Sequence, residues 1–238
     1  MIRSSIRILL ISLTLVGLSC KQNEEQHNTL SPLEVAEGWT LLFDGESLDQ
    51  WRSYLKDELT GWIVEDGTMK ALGKGGEAEG DIITLKQYEN FELSLEWKID
   101  TGGNTGILYM VFEDTAFQQV FHTGPEYQLI DDLGWPEPLE DWQQTGANYA
   151  MHIAENPDIR PAGEWNTSRI LKEGSHVEHW LNGKKVVVYE LWTEDWESRV
   201  KSGKWKEFPG YGQYPIGHIS LQDHGSAAWF RNLKIREL

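Results

Sequence analysis

A single cysteine in 238 residues, Cys20, leaves no second thiol for an internal disulfide, a CxxC redox pair or a cysteine-rich zinc site. Cations are scarce as well. Twenty-one Lys and Arg stand against 38 Asp and Glu, giving a formal charge of −17 and a pI near 4.8. No basic stripe is present for a phosphate backbone, so nucleic acid is not an expected partner. The chain also lacks HExxH, an EF-hand loop, a GxSxG elbow, a Walker loop and a GxGxxG after a strand. Those absences remove support for zincin, serine hydrolase, NTPase and dinucleotide chemistry. The apolar run Ile8 to Leu18 is too short to cross about 30 Å of hydrocarbon.

What is present is an aromatic-rich globular composition, 39% hydrophobic with twelve Trp, large enough for one substantial core. Indole rings either fill such a core or lie flat against sugar rings. From Gly38 onward, short alternating runs recur between Gly, Asp and Asn turn signals. Phe91 to Ile99 alternates without a break. Asp66-Gly67 and Asn182-Gly183 mark hairpins, and Asn148 to Ile153 reads as a further strand. Thr193 caps one expected helix, roughly Glu194 to Val200. The expected fold is all-β, a two-sheet β-sandwich or jelly roll with one short helix.

The stretch Thr123 to Asp132 (TGPEYQLIDD) concentrates three acids and an amide in strand-like sequence. Side chains alternate along a strand, so Glu126 and Gln128 share a face. Asn148/His152 and His218/Ser220/Gln222/His224 repeat the pattern, with Asp131, Asp132 and Asp223 at strand ends. If the three segments are neighbours, they line one groove, where burial could move a Glu or His toward neutral for general-base work. A solvated sheet face explains any one of them alone. Glu126, His152 and His224 are also candidate ligands for a divalent metal. The excursion Leu133 to Gly146, with Trp135 and Trp142, is expected to rim the groove.

At the N-terminus, Arg3 and Arg7 precede the apolar run, and Ser19-Cys20 stands where cleavage occurs. This resembles a bacterial lipoprotein signal. It implies a signal peptide over 1–20, lipidated Cys20, a flexible tether over 21–37, and a domain over 38–238 held in the bacterial cell envelope, in the periplasm or on the outer-membrane surface. The lipid bilayer is then a partner through that anchor only.

Seven segments, GWTLLFDGESLDQW (38–51), GWIVEDGTM (61–69), NTGILY (104–109), TGPEYQLIDD (123–132), PAGEWNTSRI (161–170), VEHWLNGKKVVVYEL (177–191) and HISLQDHG with WFRNLKI (218–225, 229–235), resemble the 3-keto-disaccharide hydrolase domain family. The resemblance implies a concanavalin-like sandwich that cleaves glycosides already oxidised at sugar C3. A base removes the acidified C2 proton, the C1 substituent is eliminated, and water adds to the enone. By motif, Glu126 is the expected base. Gln128 with a metal or Arg231 would stabilise the oxyanion, and His152 or His224 would serve as acid. Asn104, Asp131, Asn148, Gln222, Trp135 and Trp142 are expected to bind substrate. Two other readings remain: two-carboxylate glycoside hydrolysis, with Glu126 paired to Asp131 or Asp223, and a carbohydrate-binding module with no base.

Overall fold

The structure, a computed structural model, describes residues 26–74 and 80–238. The expected signal peptide, Cys20, the first residues of the tether and part of the loop after Gly73 lie outside the described residues.

Thirteen strands follow in chain order: β1 (Thr40–Leu41), β2 (Trp51–Ser53), β3 (Trp62–Glu65), β4 (Thr68–Leu72), β5 (Ile82–Thr84), β6 (Phe91–Ile99), β7 (Asn104–Val111), β8 (Glu126–Ile130), β9 (Asn166–Glu173), β10 (His176–Leu181), β11 (Lys184–Glu190), β12 (His218–Leu221) and β13 (Ala227–Glu237). They form two antiparallel sheets. The larger runs β11-β10-β9-β6-β13-β4-β3, with β1 added along β13; the smaller runs β2-β5-β12-β7-β8. The fold is the expected two-sheet β-sandwich. Asp66-Gly67 and Asn182-Gly183 turn their hairpins with positive φ at both residues, the geometry that matches strand twist.

The alternation in β6 has its physical cause in the core. Phe91, Leu93, Leu95, Trp97 and Ile99 face the smaller sheet, which answers with Ile107, Tyr109, Tyr127, Leu129, Ile219 and Leu221. Phe91 meets Tyr109 edge-on at 6.3 Å. Each such buried side chain contributes about 1.5–3 kcal/mol. In β7 the alternation is broken by a bulge: Met110 takes φ 57°, and the pairing with β12 slips between His218 and Ser220. Tyr109 and Met110 therefore both enter the main core, while Leu108 and Val111 build a second cluster on the opposite face with Ile83 and Val120.

Among the described residues two α-helices are present rather than one. α2 (Glu194–Ser202) follows the Thr193 cap as expected. α1 (Pro32–Ala36) lies in the segment read as tether, closed by a Ser31–Glu34 capping box. That segment is docked. Asn28 is buried and exchanges backbone-to-side-chain hydrogen bonds with Asn232 at 2.6 and 2.8 Å, its amide donates to Gly67 O at 2.8 Å, and Glu34 pairs with Lys234. The polar composition concealed this because the contacts join residues far apart in sequence, 39 positions for Gly67 and 200 or more for Asn232 and Lys234.

Candidate active site

The register of the smaller sheet decides which side chains meet. Gly106 lies opposite Gln128, Leu108 opposite Glu126 and Ser220 opposite Leu108, while Gln222 N–H donates to Gly106 O at 3.0 Å. Opposed residues share a face. Asn104, Glu126, Gln128 and Gln222 therefore project away from the core, into a hollow that holds a cavity of ≈ 160 Å³. Gly106 makes room for the acid. A Cβ there would lie 2.5 Å from Glu126 Oε1.

β8 would be an open edge, but residues 146–149 run along it. Gly146 N–H reaches Gln128 O, Gln128 N–H reaches Ala147 O, and Tyr149 N–H reaches Glu126 O, all at 2.9–3.1 Å. This places Tyr149 in the cavity wall. Beside it, the 3-10 turn Lys204–Glu207 after α2 is pinned by Trp205 Nε1–H to Tyr149 O at 3.2 Å. Lys204 reaches the cavity with its ammonium 4.3 Å from the Tyr149 ring centre. Phe121 completes that wall, and Asp81, Asp223 and His224 close the far side.

The floor is polar and incompletely bonded. Gln128 and Gln222 are 3% and 7% exposed, yet their Oε1 atoms have no hydrogen-bond partner among the described residues; Asn104 Oδ1 and Ser220 Oγ are in the same state. Leaving a buried acceptor unmade costs about 1–3 kcal/mol, so such a cluster points to a ligand rich in hydroxyl donors. Burial pushes the Glu126 carboxyl up to about 7; the Lys204 ammonium opposes this and the Asp81 charge adds to it. Asp81 is likewise pushed up to about 7, by desolvation first and by the Asp223 charge, against a hydrogen bond from Asp223 N–H. A base poised near neutrality beside a cation is suited to taking a proton from carbon.

Of the residues expected from sequence, Glu126, Gln128, Asn104, Gln222, Asp223 and His224 line the cavity. The others lie elsewhere. Asn148 to Ile153 is a tight turn, not a strand: Ala150 takes φ 57° and His152 N–H returns to Asn148 O at 2.9 Å. His152 is thereby swung away, stacked 4.6 Å from Tyr189 and hydrogen-bonded to the Asn148 amide at 3.2 Å. Burial, aided by Arg199, holds its pKa down to about 4. It lines a separate hollow with Arg199 and Val187. Asn148 is fully buried and accepts from Tyr211 Oη at 3.4 Å. Asp131 holds the loop after β8, accepting from Gly102 and Gly134 N–H at 2.9 Å each, so its oxygens are engaged away from Glu126. Trp135 belongs to that loop. Arg231 is on the outer face of the larger sheet, 2.7 Å from Glu96 and stacked on Trp165. Trp142 stands one layer back, edge-on to Tyr149 at 5.2 Å.

Because His152 is elsewhere, Glu126, His152 and His224 do not form a ligand set, and among the described residues no three His, Cys, Asp or Glu side chains are grouped to hold a metal. Sequence reasoning missed Asp81, Phe121, Tyr149 and Lys204. None sits in an alternating run with the floor residues, and Lys204 arrives from a turn nearly eighty residues after Glu126.

The profile of the 3-keto-alpha-glucoside-1,2-lyase-like domain matches residues 38–236. The chain belongs to this family. It is 32% identical to a Bacteroides thetaiotaomicron protein named 3-keto-disaccharide hydrolase, in a match covering 85% of this chain and 79% of that one. A crystal structure of a candidate glycosyl hydrolase from Parabacteroides distasonis superposes with a TM-score of 0.85 at 44% identity, covering 90% of this chain and 100% of the other. A second from the same organism gives 0.64 at 30% identity, covering 84% and 99%. By family the chain is a carbohydrate-active enzyme, and the cavity wall Asn104–Glu126–Gln128 falls inside the matched region.

Proposed function

We propose that the protein cleaves 3-keto glycosides, including disaccharides, by elimination across C1 and C2 followed by hydration. The observation that carries this reading is Glu126: a buried carboxyl raised to about 7, beside a lysine, over a floor of unpartnered amide oxygens. An ordinary sugar C2 proton is far too weakly acidic for such a base. A ketone at C3 changes that, because the electron pair left at C2 spreads onto the C3 oxygen. Glu126 takes the proton, and Lys204 with the floor amides stabilises the enolate oxygen. The acceptor atoms of Asn104, Gln128 and Gln222 receive sugar hydroxyls and fix the ring. The relative from Bacteroides thetaiotaomicron carries this substrate class in its name, which supports the same assignment.

Three carboxyls in one cavity also favour conventional two-carboxylate hydrolysis as the second reading, now through Asp81 or Asp223 rather than Asp131. The readings separate on matched 3-keto and unoxidised glucosides, since only two-carboxylate hydrolysis releases the aglycone of the unoxidised one, and Glu126→Gln assayed with the 3-keto glucoside tests the base. Loss of turnover with substrate affinity kept within a few-fold supports Glu126 as base; undiminished turnover removes it. The proposal extends to export, lipidation at Cys20 and residence in the cell envelope, resting on Arg3, Arg7 and the apolar run before Ser19-Cys20. Labelling with a fatty acid in cells, lost in Cys20→Ala, tests that part.

A further inference from the structure

Asp81 and Glu126 enter the cavity from opposite sides. Asp81 directly precedes β5 and Glu126 opens β8, with β12 and β7 between them in the sheet. The floor between the two acids is made by Gln222, Gly106 and Gln128, and the two glutamines point unpartnered, more than nine-tenths buried oxygens at whatever lies there. Each acid has its own electrostatic neighbour. Lys204 acts on Glu126 and favours its ionised form; at Asp81 burial favours the protonated form, while Asp223 acts both ways, its N–H favouring the ionised form and its carboxylate charge the protonated one. Asp81 is also fixed in place, since its Oδ1 accepts Asp223 N–H at 3.0 Å. A Cβ on Gly80 would lie 2.4 Å from Asp223 Cβ, so the two acids approach only because residue 80 is glycine. Asp223 is in turn oriented by Gly225 N–H at 3.1 Å. His224, by contrast, is exposed at the rim.

We infer that Asp81 is the catalytic acid that protonates the departing C1 oxygen, and that it later serves as the base for the entering water. This rests on the elimination reading above. In the first half, the C2–H bond breaks and its proton passes to the Glu126 carboxylate, leaving the electron pair in the C2–C3 enolate. The enolate re-forms the C3 carbonyl and the C1–C2 double bond, the C1–O bond breaks, and the leaving oxygen takes the proton of Asp81. In the second half, the Asp81 carboxylate takes a proton from water as its hydroxyl bonds to C1, and protonated Glu126 returns its proton to C2. Both carboxyls end as they began, and the net reaction is hydrolysis. Burial raises both carboxyls to about 7, so each can hold or release a proton near neutrality, and their places on opposite sides of the floor, Glu126 beside Lys204 and Asp81 beside Asp223, assign the two roles.

The test compares two 3-keto glucosides, one with a 4-nitrophenolate leaving group and one with an alkyl alcohol, with C2 proton exchange in deuterated water as a separate readout. Asp81→Asn is expected to lower turnover of the alkyl glycoside by about 10²–10⁴-fold. In single-turnover aglycone release, which precedes hydration, the nitrophenyl substrate, which needs no acid, should suffer at least tenfold less, and C2 exchange should persist. In Glu126→Gln exchange should be lost. Equal losses of single-turnover aglycone release on both substrates in Asp81→Asn with an unaltered circular dichroism spectrum would overturn the assignment. If Asp81→Asn does not fold, Asp81→Glu, which keeps the acid but moves it, is read by the same ratio: a changed ratio supports the assignment and an unchanged one overturns it. Wild-type protein that leaves every 3-keto glucoside untouched would instead defeat the elimination reading itself.

Discussion

Glu126 is held in a position that costs stability. Its carboxyl is raised to about 7 against an ordinary 4.5, so the native state binds its proton more readily than the unfolded chain does. The penalty of keeping it ionised is complete above pH 7 and vanishes below 4.5. Glu126→Gln is therefore expected to be more stable than wild type at pH 8, by on the order of 1–3 kcal/mol, with the difference fading as pH falls toward 4.5; urea titrations at both pH values check it. The same variant should lose about 10²–10⁴-fold in turnover. In the wild type, kcat/KM should decline as pH drops through about 7 and Glu126 takes up its proton. Gly106 offers a second handle. Its substitution by Ala would push a methyl to 2.5 Å from Glu126 Oε1, so Gly106→Ala should lower kcat by at least about tenfold while the protein remains folded. His152→Gln serves as the contrast. The ring lies outside the cavity, so this change should leave kcat within about twofold of wild type, and a large loss would contradict the geometry.

Among the elements, α2 and the 3-10 turn behind it act as an arm that brings Lys204 to the cavity. Thr193 accepts Trp196 N–H at 3.3 Å, and Trp196 is fully buried, so the arm is anchored at its start. Thr193→Ala should cost about 1 kcal/mol, read as a lower Tm, and should affect activity only through that loss. This helix was legible in the sequence because a cap and an acidic first turn are local signals. β6 and the two hairpins were legible for the same reason: alternation and paired positive-φ residues are written within ten positions. Glu126 with Gln128 was readable as a shared face of β8, and Asn104, expected from the family resemblance, is brought to them by the pairing of β7 with β8. The turn at Asn148 to Ile153 was not. Its alternation mimics a strand, and only the Tyr127 and His152 bridges to Asn148 show the chain doubling back. Asp81 and Lys204 were invisible because nothing near either of them in sequence refers to β8.

At the scale of the whole molecule, the larger sheet is a platform and the smaller sheet carries the chemistry on its outer face. The segment before residue 38 is stitched to the platform through Asn28, Asn232 and Gly67. A chain beginning at residue 38 should therefore unfold at lower temperature than one beginning at 26, and Asn28→Ala alone should cost about 1–3 kcal/mol, since it strands groups on Asn232 and Gly67. Differential scanning calorimetry of the three proteins checks both statements. The account's central claim, that Glu126 removes a proton made acidic by a neighbouring ketone, is tested most directly by incubating the purified protein in deuterated water with matched 3-keto and unoxidised glucosides. The predicted result is aglycone release from the keto substrate alone, with deuterium at C2 of the sugar product. Release from the unoxidised glucoside at a comparable rate, with no deuterium at C2, would contradict it.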